Sequence, residues 1–134
     1  MTLPPLLVSA VAVVRDRRVL MVTARGREVY YMPGGKIDAG ESAAEAAARE
    51  AREEVSLVLD PAGLTELFEV RTQAHGEPDG RMVHMAVFRA ETDAEPRPSA
   101  EVGAFHWVTT VDADRCPPAG RAVLERLAAL DLID

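Results

Sequence analysis

Apolar and small residues alternate along positions 7–16, with Val11 and Val13 on one side and Ala10, Ala12 and Val14 on the other. All five are small or β-branched, which predicts a strand buried on both faces. The polar turn Asp16-Arg17-Arg18 separates it from a second run, Val19 to Thr23, and together they predict a hairpin. Glu28 to Met32 predicts a short third strand, ended by Pro33-Gly34-Gly35. The period then changes. From Ser42 to Val55, Ala44, Ala47, Ala48, Ala51 and Val55 recur at three and four, the spacing of one helical face. Ser42 and Glu45 form a capping box that contributes about 1 kcal/mol at the helix start.

Pro61-Ala62-Gly63 breaks the chain again, after which Leu64 to Ala74 and Arg81 to Glu91 read as strands around the turn His75-Gly76-Glu77-Pro78-Asp79-Gly80. Asp93 to Ala100, rich in Pro, Ala and acids, predicts a surface loop, and Ala104 to Thr109 a further strand carrying Trp107. Pro117-Pro118 opens a closing amphipathic helix whose apolar side includes Ala122, Leu124, Leu127 and Leu130. No repeat, linker or low-complexity segment interrupts this order of strands, helix, strands, helix. It predicts one domain over residues 1–134, of the α/β class, with a mixed β-sheet packed between helices.

Composition narrows the function. Hydrophobic residues at 48% and charged residues at 28% are ordinary for a globular domain, and no apolar run approaches the ~20 residues of a membrane span. The apolar start of the chain lacks a basic leader and continues as a strand, so a cytoplasmic location is expected. The single cysteine, Cys116, allows no internal disulfide. Net charge is −7, Lys36 is the only lysine and the arginines are scattered, which argues against nucleic-acid binding. An acidic chain still binds polyphosphate when a cation screens the charges.

The chemistry-bearing stretch is GGKIDAGESAAEAAAREAREEVSL, residues 34–57. Glu50, Glu53 and Glu54 stand at i, i+3 and i+4, so their carboxylates share one side of the helix. The repulsion among them turns into binding energy when a divalent ion is present, and Mg²⁺ favours one or two carboxylates together with waters and phosphate oxygens. Without context, such a cluster reads as a solvated acidic face balanced by Arg49 and Arg52. The context is a Gly-Gly pair, then Asp38-Ala39-Gly40-Glu41 leading into the helix. Glycines there permit tight turns and bring backbone close to a ligand.

The segment resembles the signature of the Nudix family, G-x5-E-x7-R-E-U-x-E-E-x-G-U with U bulky and apolar. Gly35, Glu41, Arg49, Glu50, Glu53 and Glu54 match in register within a box at 35–57. At usual residue abundances, six such matches arise by chance about once in ten million starting positions. Ala51 stands where a bulky residue is usual, and Ser56 replaces the final glycine, whose left-handed backbone costs a serine roughly 1 kcal/mol. Downstream, Glu101 precedes Trp107 as in many MutT-like members.

The resemblance implies a Nudix-type α/β/α sandwich that hydrolyses the pyrophosphate linkage of a nucleoside-diphosphate derivative, foremost a (d)NTP to (d)NMP and pyrophosphate. It implies Mg²⁺ or Mn²⁺ as cofactor. Glu50 and Glu54, with the Gly35 carbonyl, would ligate metal; Glu53 would ligate or polarise the attacking water; Glu101 would be a further ligand. Glu41 and Arg49 would form an ion pair orienting loop and helix. ADP-ribose, nucleotide sugars and dinucleoside polyphosphates are alternative substrates, and a non-catalytic nucleotide or ADP-ribose sensor is the rival reading. The expected partner is the nucleotide, bound by a monomer or homodimer. Lys36, Tyr31 and His84 are candidate substrate contacts: Lys36 for phosphate, Tyr31 for stacking on a base. None of His75, His84 and His106 has ligand-like spacing, and His84 and His106, on strands, are candidates to line the substrate cleft.

Overall fold

A computed structural model describes residues 3–78 and 80–134; Met1, Thr2 and Asp79, the last within the turn expected at 75–80, lie outside the described residues. The elements run β1 (Leu6–Ala12), β2 (Val14–Arg15), β3 (Arg18–Ala24), β4 (Gly34–Lys36), α1 (Ala43–Val55), a 3₁₀ turn at Pro61–Gly63, β5 (Thr65–Gln73), β6 (Met82–Arg89), β7 (Val102–Val108), a second 3₁₀ turn at Thr110–Arg115, and α2 (Pro118–Ala129). The fold is an α/β/α sandwich.

Its middle layer consists of two sheets rather than the one expected. The first, β4-β1-β6-β5, is mixed: β1 and β6 run parallel, while β4 and β5 pair antiparallel at its edges. The second, β2-β3-β7, is antiparallel. Backbone bonds knit them together, with the Leu20 amide donating to the Val13 carbonyl at 3.0 Å.

Alternation along β1 divides the core. Val11 and Val13 pack with Ala47, Ala51 and Val55 under α1, whereas Ala10 and Ala12 pack with Leu124 and Leu127 under α2. Ala47 and Ala51 are fully buried, and their small side chains leave little between helix and sheet. Ser9, also fully buried, donates its hydroxyl to the Ala43 carbonyl at 2.6 Å, which ties the helix start to β1. The Ser42 and Glu45 capping box is complete.

The third strand is displaced from its expected place. Residues 28–32 form no strand, only an isolated bridge between Tyr31 and Val22, and β4 lies instead on Gly34, Gly35 and Lys36. Glycine there shortens the approach instead of ending the strand. A methyl group on Gly34 would overlap the Ser9 carbonyl and come within 2.8 Å of the Ala10 Cα, so only a bare residue can pair with β1 at this separation.

Candidate active site

The helix α1 hangs over β4, and the glycines of β4 face two of its glutamates. The Gly34 amide donates to the Glu54 carboxylate at 2.8 Å. Gly35 lies under Glu50: a methyl group added at Gly35 would overlap the carboxylate, whose carbon would be 2.6 Å away. Burial raises the Glu54 carboxyl to about 7, opposed by the Gly34 hydrogen bond and reinforced by repulsion from Glu50, Glu53 and Glu101. A carboxyl so placed gains most when a cation arrives.

Arg49 organises the approach to the helix. Its Nε and Nη2 each donate to the Glu41 carboxylate at 2.9 Å, a bidentate pair, and Nη2 also reaches the Lys36 carbonyl at 3.1 Å. Nη1 donates to Glu50 at 2.9 Å and to Glu53 at 3.4 Å. Arg49 and the Asp38 amide hold the Glu41 carboxyl down at about 2, and Glu41 with its neighbours raises the Arg49 guanidinium. One arginine thus connects β4, the loop at 37–42 and two turns of helix.

Among the described residues no three His, Cys, Asp or Glu side chains converge as a ready-made metal cage. Glu50 and Glu53 turn toward Arg49, and Glu54 toward Gly34. A Ca²⁺ or Zn²⁺ cage would need such convergence; Mg²⁺ needs only one or two carboxylates and completes its shell with water and phosphate. The residues fit that ion. The Glu50 side chain is sheltered, at 16% exposed, whereas Glu53 at 53% is open to water.

The return from β6 to β7 is fastened to the end of the helix. The Ser99 amide donates to the Glu54 carbonyl at 2.9 Å, the Ser99 hydroxyl to the Glu53 carbonyl, and the Arg97 amide to the Val55 carbonyl at 2.8 Å. These bonds satisfy carbonyls that a helix end leaves orphaned. Ser56 itself takes the left-handed conformation, φ 59°, where the family signature has glycine. Ala100 is left-handed too, φ 57°, and the turn it makes delivers Glu101 to the same cavity wall as Glu54.

That cavity, about 310 Å³, opens beside the acid cluster between β1, β6 and the start of α2. Tyr31 lies at its edge, 37% exposed, with its ring edge-on to His75 at 6.1 Å. Tyr30 points inward, stacks on His106 at 4.7 Å and accepts a hydrogen bond from Arg115 at 2.6 Å. His106 also meets Thr23 at 3.0 Å.

His84 lies apart from the cavity, because Val83 and Met85 line it and strand alternation sends the residue between them to the other face. The Lys36 side chain is exposed and also lies outside the cavity lining; its carbonyl takes part through Arg49. His75 does line the cavity, but its position in a turn, outside any periodic segment, gave no signal. Ser99 was equally silent in the sequence, since what matters there is a loop's contact with a distant helix end.

The sequence model of the NUDIX domain matches residues 5–127. The chain belongs to that family. Among solved structures, it is similar to a MutT NUDIX hydrolase from Burkholderia pseudomallei, with 27% identity, TM-score 0.73, and coverage of 93% of this chain and 99% of that one. The fold is shared with the E. coli ORF135 protein, at 21% identity and TM-score 0.76, covering 96% and 92% of the two chains. A curated relative, an octanoyltransferase of Myxococcus xanthus, is 35% identical over 139 residues; 94% of this chain aligns and spans 38% of that protein's length.

Proposed function

We propose that this chain hydrolyses the pyrophosphate linkage of nucleoside-diphosphate derivatives with the help of Mg²⁺ or Mn²⁺, foremost a (d)NTP to (d)NMP and pyrophosphate. The observation that carries the reading is the position of Glu50 and Glu54 against the bare backbone of Gly35 and Gly34, at the edge of a cavity large enough for a base. Glu50, Glu54 and the Gly35 carbonyl would hold the ion, joined by Glu101. When bound, the ion neutralises the diphosphate and acidifies a water. Glu53, the most open of the three clustered glutamates, takes the proton from the attacking water, and Arg49 keeps its carboxylate oriented. Tyr31 stacks on the base. The reading treats the chain as a single catalytic domain acting in the cytoplasm, where such nucleotides are made.

A panel of nucleoside triphosphates, ADP-ribose, nucleotide sugars and dinucleoside polyphosphates, assayed with Mg²⁺ and Mn²⁺, tests the proposal. Release of a nucleoside monophosphate that stops with chelator is expected. Tight nucleotide binding with no turnover under any metal would favour the sensor instead.

A further inference from the structure

The cavity beside the acid cluster has a one-sided chemistry. Among the described residues that line it, four side chains carry polar atoms: Glu54, Glu101, Tyr31 and His75. In the proposed hydrolysis the two carboxylates face the cation and the phosphates, and Tyr31 with His75 offers ring surface. The rest of the wall is aliphatic, thioether or glycine, and includes Val8, Met32, Val83, Met85, Ala119 and Gly120. No Asn, Gln, Ser, Thr, Lys or Arg side chain among the described residues reaches it.

A nucleobase brings two or three donors and acceptors on its pairing edge. A site built to read them pays each with a partner, and leaving one buried without a partner weakens binding by roughly tenfold to a hundredfold. With the carboxylates turned to the cation, the described part of the wall offers the base only the Tyr31 hydroxyl and the His75 imidazole, both on exposed residues, and its interior offers no side-chain partner. It can reward only shape, ring stacking and contact with soft sulfur, and the two flexible methionines adjust to purine and pyrimidine alike. Such a site discriminates weakly among planar groups and ranks them against polarity.

Resting on the proposed hydrolysis, we infer that this chain selects nucleotides without reading the pairing edge of the base. Adenine nucleotides, whose edge carries one amino group and one bare ring nitrogen, are preferred to those of guanine and thymine, whose edges each carry three polar groups. Oxidised guanine, with a further carbonyl and N–H, is not a favoured substrate.

The test compares kcat/KM, with Mg²⁺, for dATP, dTTP, dCTP, dGTP and 8-oxo-dGTP. The expected result is dATP above dTTP, dCTP and dGTP, each within about tenfold of it, with 8-oxo-dGTP lowest. Met85→Glu, close in size, places in the wall a carboxylate that accepts from both the ring N–H and the amino group of guanine, a pair adenine lacks, and should raise the dGTP to dATP ratio about tenfold. Binding of dAMP and dGMP, followed through the methyl resonances of Met32 and Met85, gives a readout independent of turnover, with dAMP tighter. A preference above about a hundredfold for guanine or oxidised guanine would overturn the inference while leaving hydrolysis intact, and would assign the reading to main-chain amides in the first turn of α2. An unchanged ratio in Met85→Glu would also overturn it. If no nucleotide is cleaved but dAMP still shifts the methionines more tightly than dGMP, the hydrolytic reading fails and the base-site inference stands. Neither turnover nor shifts would sink both.

Discussion

Gly35 lies so close beneath Glu50 that a single added methyl would occupy the space of the carboxylate. The glycine is therefore a requirement of the glutamate's position, as Gly34 is of the strand's. Gly35→Ala should push Glu50 aside and weaken Mn²⁺ binding by about tenfold to a hundredfold, the range seen when the support of a metal ligand is lost. Electron paramagnetic resonance titration of Mn²⁺ measures this. Unaltered affinity would mean that Glu50 contributes nothing to holding the ion.

Arg49 cannot be replaced by lysine without loss, because a lysine is a point charge and the Glu41 contact uses a planar fork. Arg49→Lys should lower turnover while keeping the net charge. The Glu41 carboxyl, held at about 2, is depressed below its ordinary 4.5, so its contribution to stability is complete above about 4.5 and fades as the pH falls through about 2. Carbon-detected NMR titration of Glu41 should show that low midpoint in the parent and a return toward the ordinary range in Arg49→Lys. A normal midpoint in the parent would break the pairing argument.

Glu54 behaves in the opposite sense. Its carboxyl is raised to about 7, so the metal-free protein has that group's stability in full below about 4.5 and loses it as the pH rises through about 7. Added Mg²⁺ should expel a proton near neutrality, detectable by calorimetry in two buffers of different ionisation enthalpy. Glu54→Gln should abolish the proton release and make the metal-free protein more stable than the parent at about pH 8. Metal uptake with no proton exchange would contradict the buried, protonated state.

Much of this arrangement is legible in the sequence. The alanine period placed α1 to within a residue, and the alternation of Val11 and Val13 against Ala10 and Ala12 divided the core correctly between the two helices. The acid cluster was visible because a helix converts spacing into direction. What escaped notice depends on contact between remote segments: the strand at Gly34–Lys36, where glycine allows approach rather than ending a strand; the split of the middle layer; His75 in its turn; and Ser99 at the helix end. None of these leaves a period in the sequence.

Ser56 offers a test of stability alone. Its left-handed backbone costs a side-chain-bearing residue about 1–2 kcal/mol, and glycine's extra freedom in the unfolded chain returns about half of that. Ser56→Gly should therefore stabilise the protein by about 0.5–1 kcal/mol, a rise of a few degrees in Tm, with turnover unchanged. Thermal unfolding measures it, and a lower Tm would show that the serine makes a compensating contact.

The fastening of Ser99 and Arg97 to the last carbonyls of α1 changes what local opening means in this molecule. Helix ends ordinarily fray alone, at little cost and without consequence for distant residues. Here the last turn cannot open without releasing the segment that carries Glu101, and that segment cannot swing away without exposing the last turn. The amides of Arg97 and Ser99 should therefore exchange with solvent in step with each other, as one unit, and removing the hydroxyl in Ser99→Ala should speed both. The acid that reaches the cavity from outside the helix is thereby kept on the helix's own clock.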